Sequence, residues 1–261
     1  MQLGLSTAAF YGRWETEEAA KRIADLPLDC AEVFLQSNSE ITVEFAQLVK
    51  RNLGGIPCTS VHPLGVSYEN HMAGRPPRQM RDAFDHFKRI LDAGEVLGAK
   101  TFVYHGRNSP QLTAIPWNLQ WNMDALTPMC ELAQQKDMVI GWENVFWCQL
   151  TTPQRVLEAK AALPQVRFTL DIKQAMRTGC DPVSYVNAMG DQLCNVHICD
   201  WRKDGSLCLP GEGVFDFEAL LKALRDVGYV GPIIIEPYLA LIQSDEALLR
   251  SIAFMRNIIK E

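Results

Sequence analysis

Six apolar, strand-like runs in this chain each close on or contain a residue that can bind a metal or carry a proton: CTSVH (58–62), TFVYH (101–105), VIGWE (139–143), RFTLD (167–171), NVHIC (195–199) and PIIIE (232–236). The residues concerned are His62, His105, Glu143, Asp171, His197 and Glu236. Two further runs, LGLST (3–7) and AEVFL (31–35), bring the set to eight. Divided by eight, 261 residues give units of roughly 33, what one strand, one helix and two loops need in a (β/α)8 barrel of about 250 residues. Such barrels build their chemistry at the C-terminal ends of the strands, so polar residues ending apolar strands predict one shared site. The fold class read from this pattern is α/β, a single (β/α)8 TIM barrel, with residues 1–261 as one domain.

Helical patterns fall between the strands as this architecture requires. ETEEAAKRIADL, ITVEFAQLVKRNL, QMRDAFDHFKRILDAGEVLG, MDALTPMCELAQQKD, TPQRVLEAKAAL, DPVSYVNAMG, DFEALLKALRDVG and SDEALLRSIAFMRNIIK space their apolar residues at three and four, the stripe of a helix lying on a sheet. Thr152-Pro153, Asp181-Pro182 and Asp216 predict helix starts, and Gly98 and Gly228 predict stops. The strands read as mostly apolar on both faces, as suits parallel strands between a barrel interior and a helix ring.

The chain carries a formal charge of −6 and no dense Lys/Arg run, which argues against electrostatically driven nucleic-acid binding. Arg75, Arg78 and Arg81 read as the solvated start of a helix. No apolar run approaches the roughly 20 residues that span a bilayer, and the amino-terminal residues lack a signal-peptide pattern, so the expectation is a cytoplasmic protein with no membrane partner. The eight cysteines contain no CxxC pair and are expected as free thiols.

Glu143, Asp171, His197 and Glu236 come from the last four strands. Neighbouring strands lie about 4.8 Å apart, so all four side chains can reach one ion near the barrel axis. Three carboxylates and an imidazole suit Mn2+, Co2+, Mg2+ or Zn2+ rather than a thiolate-loving metal. A single strand-end carboxylate can equally cap the next helix, and a single histidine can be a satisfied core residue. Three carboxylates converging without a cation would repel one another, and this favours metal binding.

The stretch PGEGVFDFEALLKALRDVGYVGPIIIEPY (210–238), together with GWEN (141–144), TLDIKQA (169–175) and VHICDW (196–201), resembles the xylose isomerase-like barrel superfamily of sugar phosphate isomerases and epimerases, which is similar in turn to the endonuclease IV family. The resemblance implies that Glu143, Asp171, His197 and Glu236 bind one divalent metal and that Glu143 and Glu236 are the catalytic proton-transferring pair. Chemically, a proton is removed next to a carbonyl to give an enediolate, whose charge a metal stabilises. One carboxylate on each face of the planar intermediate can take the proton from one side and return it on the other.

His62 and His105 have two readings: polar contacts to substrate, or ligands of a second metal bridged by Glu143, as the endonuclease likeness implies. The nuclease's third metal site is incomplete, because Gln174 stands where it has a histidine and SLCL (206–209) where it has an Asp-x-His pair. Gln174 also departs from the epimerases, which have a substrate-contacting histidine there. Lys173 either neutralises an alkoxide or phosphate or turns away from the pocket. Arg107, Asp200 and Arg202 either orient substrate groups or are solvated loop residues. Of Trp117, Trp121, Trp147 and Trp201, at least two are expected to line the site. His62, His105, Lys173, Gln174, Trp201 and Arg202 are thus the candidate substrate-binding residues.

The function expected is metal-dependent isomerisation or epimerisation of a small sugar, in a protein compatible with a homo-oligomer. Alternatives are a metal-dependent dehydratase of a keto-inositol or dehydroshikimate-like substrate, an endonuclease IV-like nuclease, and a barrel that only binds carbohydrate.

Overall fold

The computed structural model describes residues 1–64, 68–109 and 115–260. Eight parallel strands close into a barrel in sequence order: β1 (Gln2–Ser6), β2 (Cys30–Leu35), β3 (Cys58–Pro63), β4 (Thr101–Tyr104), β5 (Val139–Glu143), β6 (Arg167–Asp171), β7 (Leu193–Ile198) and β8 (Pro232–Ile235), with β8 pairing back onto β1. The helices are α1 (Thr16–Ala24), α2 (Val43–Asn52), α3 (Pro77–Leu97), α4 (Leu119–Gln134), α5 (Pro153–Ala162), α6 (Ile172–Arg177), α7 (Pro182–Met189), α8 (Phe217–Asp226) and α9 (Asp245–Lys260). The eight expected strands and eight expected helices are all present. Helix α6 is additional, and its six residues are too few to show a 3.6-residue period.

The boundaries follow from local chemistry. Side-chain oxygens of Thr152, Asp181 and Asp216 accept hydrogen bonds from the first turns of α5, α7 and α8, satisfying amides that have no partner within the helix. Gly98 closes α3 with φ of 90°, a left-handed position at which a side chain would be strained. Arg75, Arg78 and Arg81 are exposed around the start of α3. All eight cysteines are free.

The two faces of the barrel wall differ more than the expectation of strands mostly apolar on both faces allows. Leu3, Leu5, Val33, Leu35, Val61, Phe102, Tyr104, Ile140, Trp142, Phe168, Leu170, Val196, Ile198, Ile233 and Ile235 join the apolar core shared with the helices. Most of their alternates are small or polar, namely Gly4, Ser6, Glu32, Ser60, Thr101, Gly141, Thr169 and Asn195, while Phe34, Val103 and Ile234 are apolar on the inner side as well. Glu32 of β2 touches His197 of β7, and a Cβ on Gly141 of β5 would touch Cys194 of β7. These strands are not neighbours in the sheet, so both contacts run across the interior. The strands alternate, apolar outward and mostly small or polar inward, and the inner column carries hydrogen-bonding groups up to the C-terminal mouth.

The loop after β7 is held from below by Asp200. Its Oδ2 accepts from the amides of Gly211 and Gly213 at 3.0 and 2.9 Å, and its Oδ1 from those of Trp201 and Phe215 at 2.7 and 3.1 Å. Asp200 therefore neither reaches substrate nor lies in solvent. It fixes the PGEG turn, and a side chain on Gly213 would collide with the Asp200 carboxylate.

At Gly141, a Cβ would lie 2.6 Å from Thr169 Oγ1 and 2.7 Å from Thr101 Cγ2. Gly141→Ala is expected to destabilise the protein by about 1–3 kcal/mol, the usual cost of overpacking. Denaturant titration measures this, and an unchanged midpoint would show that the interior has slack at this layer.

Candidate active site

The side chains of Glu143, Asp171, His197 and Glu236 meet at the C-terminal mouth. One ligand atom from each lies within 4.8 Å of the others. Asp171 and His197 are paired across β6 and β7, and Asn144 locks β5 to β6: its Oδ1 accepts from the Asp171 amide at 2.7 Å, and its Nδ2 donates to the Asp171 carbonyl at 2.9 Å. This residue of the GWEN stretch thus sets the spacing between Glu143 and Asp171.

Asp171 has two roles. Its Oδ1 caps α6 by accepting from the Gln174 amide at 3.1 Å, while Oδ2 is turned to the site, 2.8 Å from Lys173 Nζ. Because α6 begins directly after the strand, Lys173 and Gln174 come back over the mouth, and both line the cavity. Lys173 Nζ also donates to Glu236 Oε2 at 2.7 Å and to its carbonyl at 3.1 Å. It therefore faces the pocket, with its charge engaged by two carboxylates.

His197 is fully buried, and its Nε2 lies 2.9 Å from Glu32 Oε2. Its Nδ1 lies 3.4 Å from Glu143 Oε1 and 3.5 Å from Glu236 Oε2. Glu32 Oε2 also accepts from Ser60 Oγ at 2.7 Å and from Asn195 Nδ2 at 3.1 Å. With Nε2 engaged by this carboxylate, Nδ1 is the atom presented to the mouth, the arrangement by which an outer carboxylate orients a metal-binding imidazole. Strand ends alone do not reveal Glu32, which sits inside β2. The signal available was an acidic residue within the apolar run AEVFL.

His62 and His105 stand on the opposite wall, Nε2 to Nε2 at 2.8 Å. His105 Nε2 is 3.1 Å from Glu143 Oε2, and His62 Nδ1 is 3.5 Å from both Glu32 Oε1 and Glu236 Oε1. Together with Glu143 these histidines form a second group with metal-binding geometry. Beside His105 lies the buried carboxyl of Glu69, which accepts from the Gly106 amide at 3.1 Å. Burial pushes Glu69 well above the usual carboxylate range despite its two backbone donors, His105 and Gly106.

The donor set fits a divalent cation. Among the described residues, His197 Nδ1 is buried without a hydrogen-bond partner, and Glu143 Oε2 and Asp171 Oδ2 have only their contacts with His105 and Lys173, an arrangement that a ligand would complete. Electrostatics agree. Burial pushes Asp171 up to about 6, with Glu143 and Glu236 adding to it and Lys173 opposing it. Burial would also raise Glu236, but Lys173 and His197 outweigh it and bring it to about 2. Desolvation favours neutral His62, yet the carboxylates of Glu236 and Glu32 raise it to about 10. His197 is raised well above its ordinary value by Glu32 and Glu236 against the same burial. His105, for which burial dominates, is lowered.

The cavity over these groups has a volume of about 360 Å³. Its lining also includes Ala8, Tyr11, Phe34, Pro63, Leu64, Trp147, Pro237 and Tyr238. Of the four tryptophans expected near the site, Trp147 alone is among these residues. Trp117 stacks on Trp142 and donates to Glu158, Trp121 donates to the Ala73 carbonyl, and Trp201 packs on Phe215. Arg202 pairs with Glu212 at 3.1 Å on the surface, and Arg107 lies over the Trp121 ring. Trp201 and Arg202 are not among the residues lining the cavity, and both hold the loop after β7. Parts of the long loops after His62 and His105, residues 65–67 and 110–114, lie outside the described residues.

The sequence profile of the xylose isomerase-like TIM barrel matches residues 20–258. The chain belongs to this family. An uncharacterized protein of Mycobacterium leprae is 23% identical, over 98% of this chain and 97% of its own. Fructoselysine 3-epimerase of Escherichia coli is 27% identical, over 67% of this chain and 66% of that enzyme. A crystal structure of D-psicose 3-epimerase determined in the presence of D-fructose superposes with a TM-score of 0.82 at 16% identity, covering both chains in full. The relatives of this family member thus include sugar epimerases. Among the described residues, no helix is long and apolar enough to cross a membrane.

Two predictions follow from this geometry. His197→Ala should abolish stoichiometric binding of Mn2+ or Zn2+, and Glu32→Gln, which leaves every proposed ligand in place, should weaken it by about 10–100-fold. Equilibrium dialysis against the metal reads both, and unchanged occupancy in His197→Ala would contradict the ligand assignment. Cation binding also requires Asp171 ionised and His197 neutral, so it should release protons and tighten as pH rises through about 6. Titration calorimetry in buffers of different ionisation enthalpy counts those protons, and a count of zero at pH 6 would show that the free site is already deprotonated.

Proposed function

We propose that the protein is a divalent-metal-dependent epimerase or isomerase of a small sugar or sugar derivative, acting by proton transfer next to a carbonyl. The observation that carries this reading is the placement of Glu143 and Glu236 on either side of His197 Nδ1, at 3.4 and 3.5 Å, in the floor of one cavity. Glu143, Asp171, His197 and Glu236 would hold Mn2+, Co2+, Mg2+ or Zn2+. When bound, the cation supplies Lewis acidity towards the carbonyl and offsets the negative charge that develops as the proton leaves.

The chain's own groups supply the proton chemistry. One of the two glutamates removes the proton from the carbon beside the carbonyl, and the other returns a proton to the opposite face, inverting that centre. Glu236 is depressed to about 2 and Glu143 is held well below the usual range by His105 and His197 against its burial, so both are ionised in the resting site. The glutamate that returns a proton first receives one from a neighbouring imidazolium, as His62 stands beside Glu236 at 3.5 Å. Lys173, in contact with Asp171 and Glu236, steadies the anionic side of the pocket.

Each turnover leaves a proton on one glutamate and draws one from the imidazole beside the other. His105 and His62 form a line between them, with separations of 3.1, 2.8 and 3.5 Å from Glu143 to Glu236, giving the proton a route back around the cavity wall. This favours polar roles for the two histidines over ligation of a second metal. The relatives' sugar substrates support the reading.

Candidate ketoses incubated in D2O with Mn2+-loaded protein should gain deuterium at the carbon whose configuration changes, as read by NMR. Glu236→Gln should lower kcat by about 10²–10⁴-fold, the usual contribution of a general base, with an unchanged circular dichroism spectrum. Wild-type turnover in that variant would remove the two-glutamate mechanism. A product with a new unsaturated absorbance would instead mark loss of a β-hydroxyl, the dehydratase reaction.

A further inference from the structure

The cavity is divided by chemistry into two zones. Its floor holds every charged group in the lining, His62, His105, Glu143, Asp171, Lys173 and Glu236, together with the amide of Gln174. Its outer wall is made by Ala8, Phe34, Pro63, Leu64 and Pro237 with the rings of Tyr11, Trp147 and Tyr238, so its side-chain polar groups are two phenol hydroxyls and one indole N–H against a mostly carbon surface. Tyr11, Tyr238 and Leu64 are 49, 47 and 41% exposed, so the apolar surface continues from the wall onto the rim.

We propose that the substrate is a carbonyl sugar whose end remote from the reacting carbon is apolar and uncharged, either deoxygenated or carrying an alkyl or aryl group. The proposal rests on the epimerase reading for the reacting end. The floor is polar enough to satisfy the carbonyl and its neighbouring hydroxyls. Hydroxyls pointing outward would give up water for carbon, which is costly without a replacement hydrogen bond, whereas an apolar end gains from the same contact. A cavity of about 360 Å³ is near the low end of the roughly 300–1,000 Å³ of small-molecule pockets. The sugar fills it, and any larger substituent rests on the exposed rings of Tyr11 and Tyr238.

A phosphate at the remote end fits poorly. Lys173 is the one lysine or arginine among the lining residues, and it is engaged by Asp171 and Glu236 at 2.8 and 2.7 Å, while Arg177, whose guanidinium lies 5.9 Å from the Tyr238 ring centroid, is outside the lining. The remaining floor is rich in carboxylates, and like charges placed together are strongly unfavourable. None of residues 65–67 or 110–114, in the loops after β3 and β4, is charged.

The test uses Mn2+-loaded full-length protein and four probes: a ketohexose, its 6-deoxy analogue, an aryl derivative substituted at the same end, and the 6-phosphate. Turnover is followed by deuterium incorporation, and binding separately by titration calorimetry. The deoxy and aryl probes should bind at least tenfold tighter than the parent, and the phosphate at least tenfold weaker. Tyr11→Ala and Tyr238→Ala should narrow the preference for the aryl probe over the parent. A preference for the deoxy compound alone would identify deoxygenation as the source of the apolar end, and a preference for the aryl compound a substituent on the rim. Tightest binding of the phosphate or of the parent ketohexose would overturn the proposal whatever the turnover. Should none of the four be turned over while the binding order holds, the epimerase reading fails and the apolar remote end stands.

Discussion

Four carboxylates, Glu32, Glu143, Asp171 and Glu236, are gathered in and just below the mouth of one barrel, and the rest of the site is arranged around the cost of keeping them there. Buried like charges either neutralise or find partners. Each of the four has taken a different course. Glu32 is held by Ser60, Asn195 and His197, Glu143 leans on His105 and His197, Glu236 is paired with Lys173, and Asp171 is the one whose burial wins and whose carboxyl rises. His62 and His197 are raised in return. Counting imidazoliums, the cationic groups are Lys173, His62 and His197, one fewer than the carboxylates. A divalent cation entering here has a surplus of negative charge to meet and imidazole protons to displace.

The inward face of the wall makes such a site possible. An interior filled with branched apolar side chains, as is usual in these barrels, could not have supported Glu32 beneath His197. Here the column of Ser60, Asn195, Thr101 and Thr169 supplies hydrogen-bonding groups at the levels below the ligands, and Gly4 and Gly141 make room beside them. Stability comes from the outward face, where Trp142, Phe102, Phe168, Ile233 and Ile235 pack against the helices. The wall separates the two demands by side-chain alternation.

Much of this was legible in the sequence because two signals are local. Strand runs and helix stripes give eight units, and a polar residue at the end of an apolar run identifies His62, His105, Glu143, Asp171 and Glu236. What remained hidden depends on contacts between distant strands. Glu32 and Asn195 gain their meaning from His197, and Glu32 is 165 residues from it in the chain. Asn144 gains its meaning from the backbone of Asp171 on the next strand. Asp200 looks like a rim residue until four amides of its own loop are found around it. The tryptophans mislead for the opposite reason. A large ring near a strand end is as useful for sealing the helix layer as for touching a ligand, and Trp117, Trp121 and Trp201 serve the former use.

Asp171 shows how few residues are needed to join fold and chemistry. One carboxylate oxygen ends a strand's role by starting a helix, and the other faces the site. Because the helix starts at once, residues two and three positions later return to the same cavity instead of passing to the outer ring. Lys173 thereby reaches across to Glu236 on β8, joining the sixth strand to the eighth over the top of His197 on the seventh. Lengthening this connection by even a few residues would keep the barrel and the strand-end carboxylate but lose that bridge. The short α6 is therefore a requirement of the site, although the barrel itself could close without it.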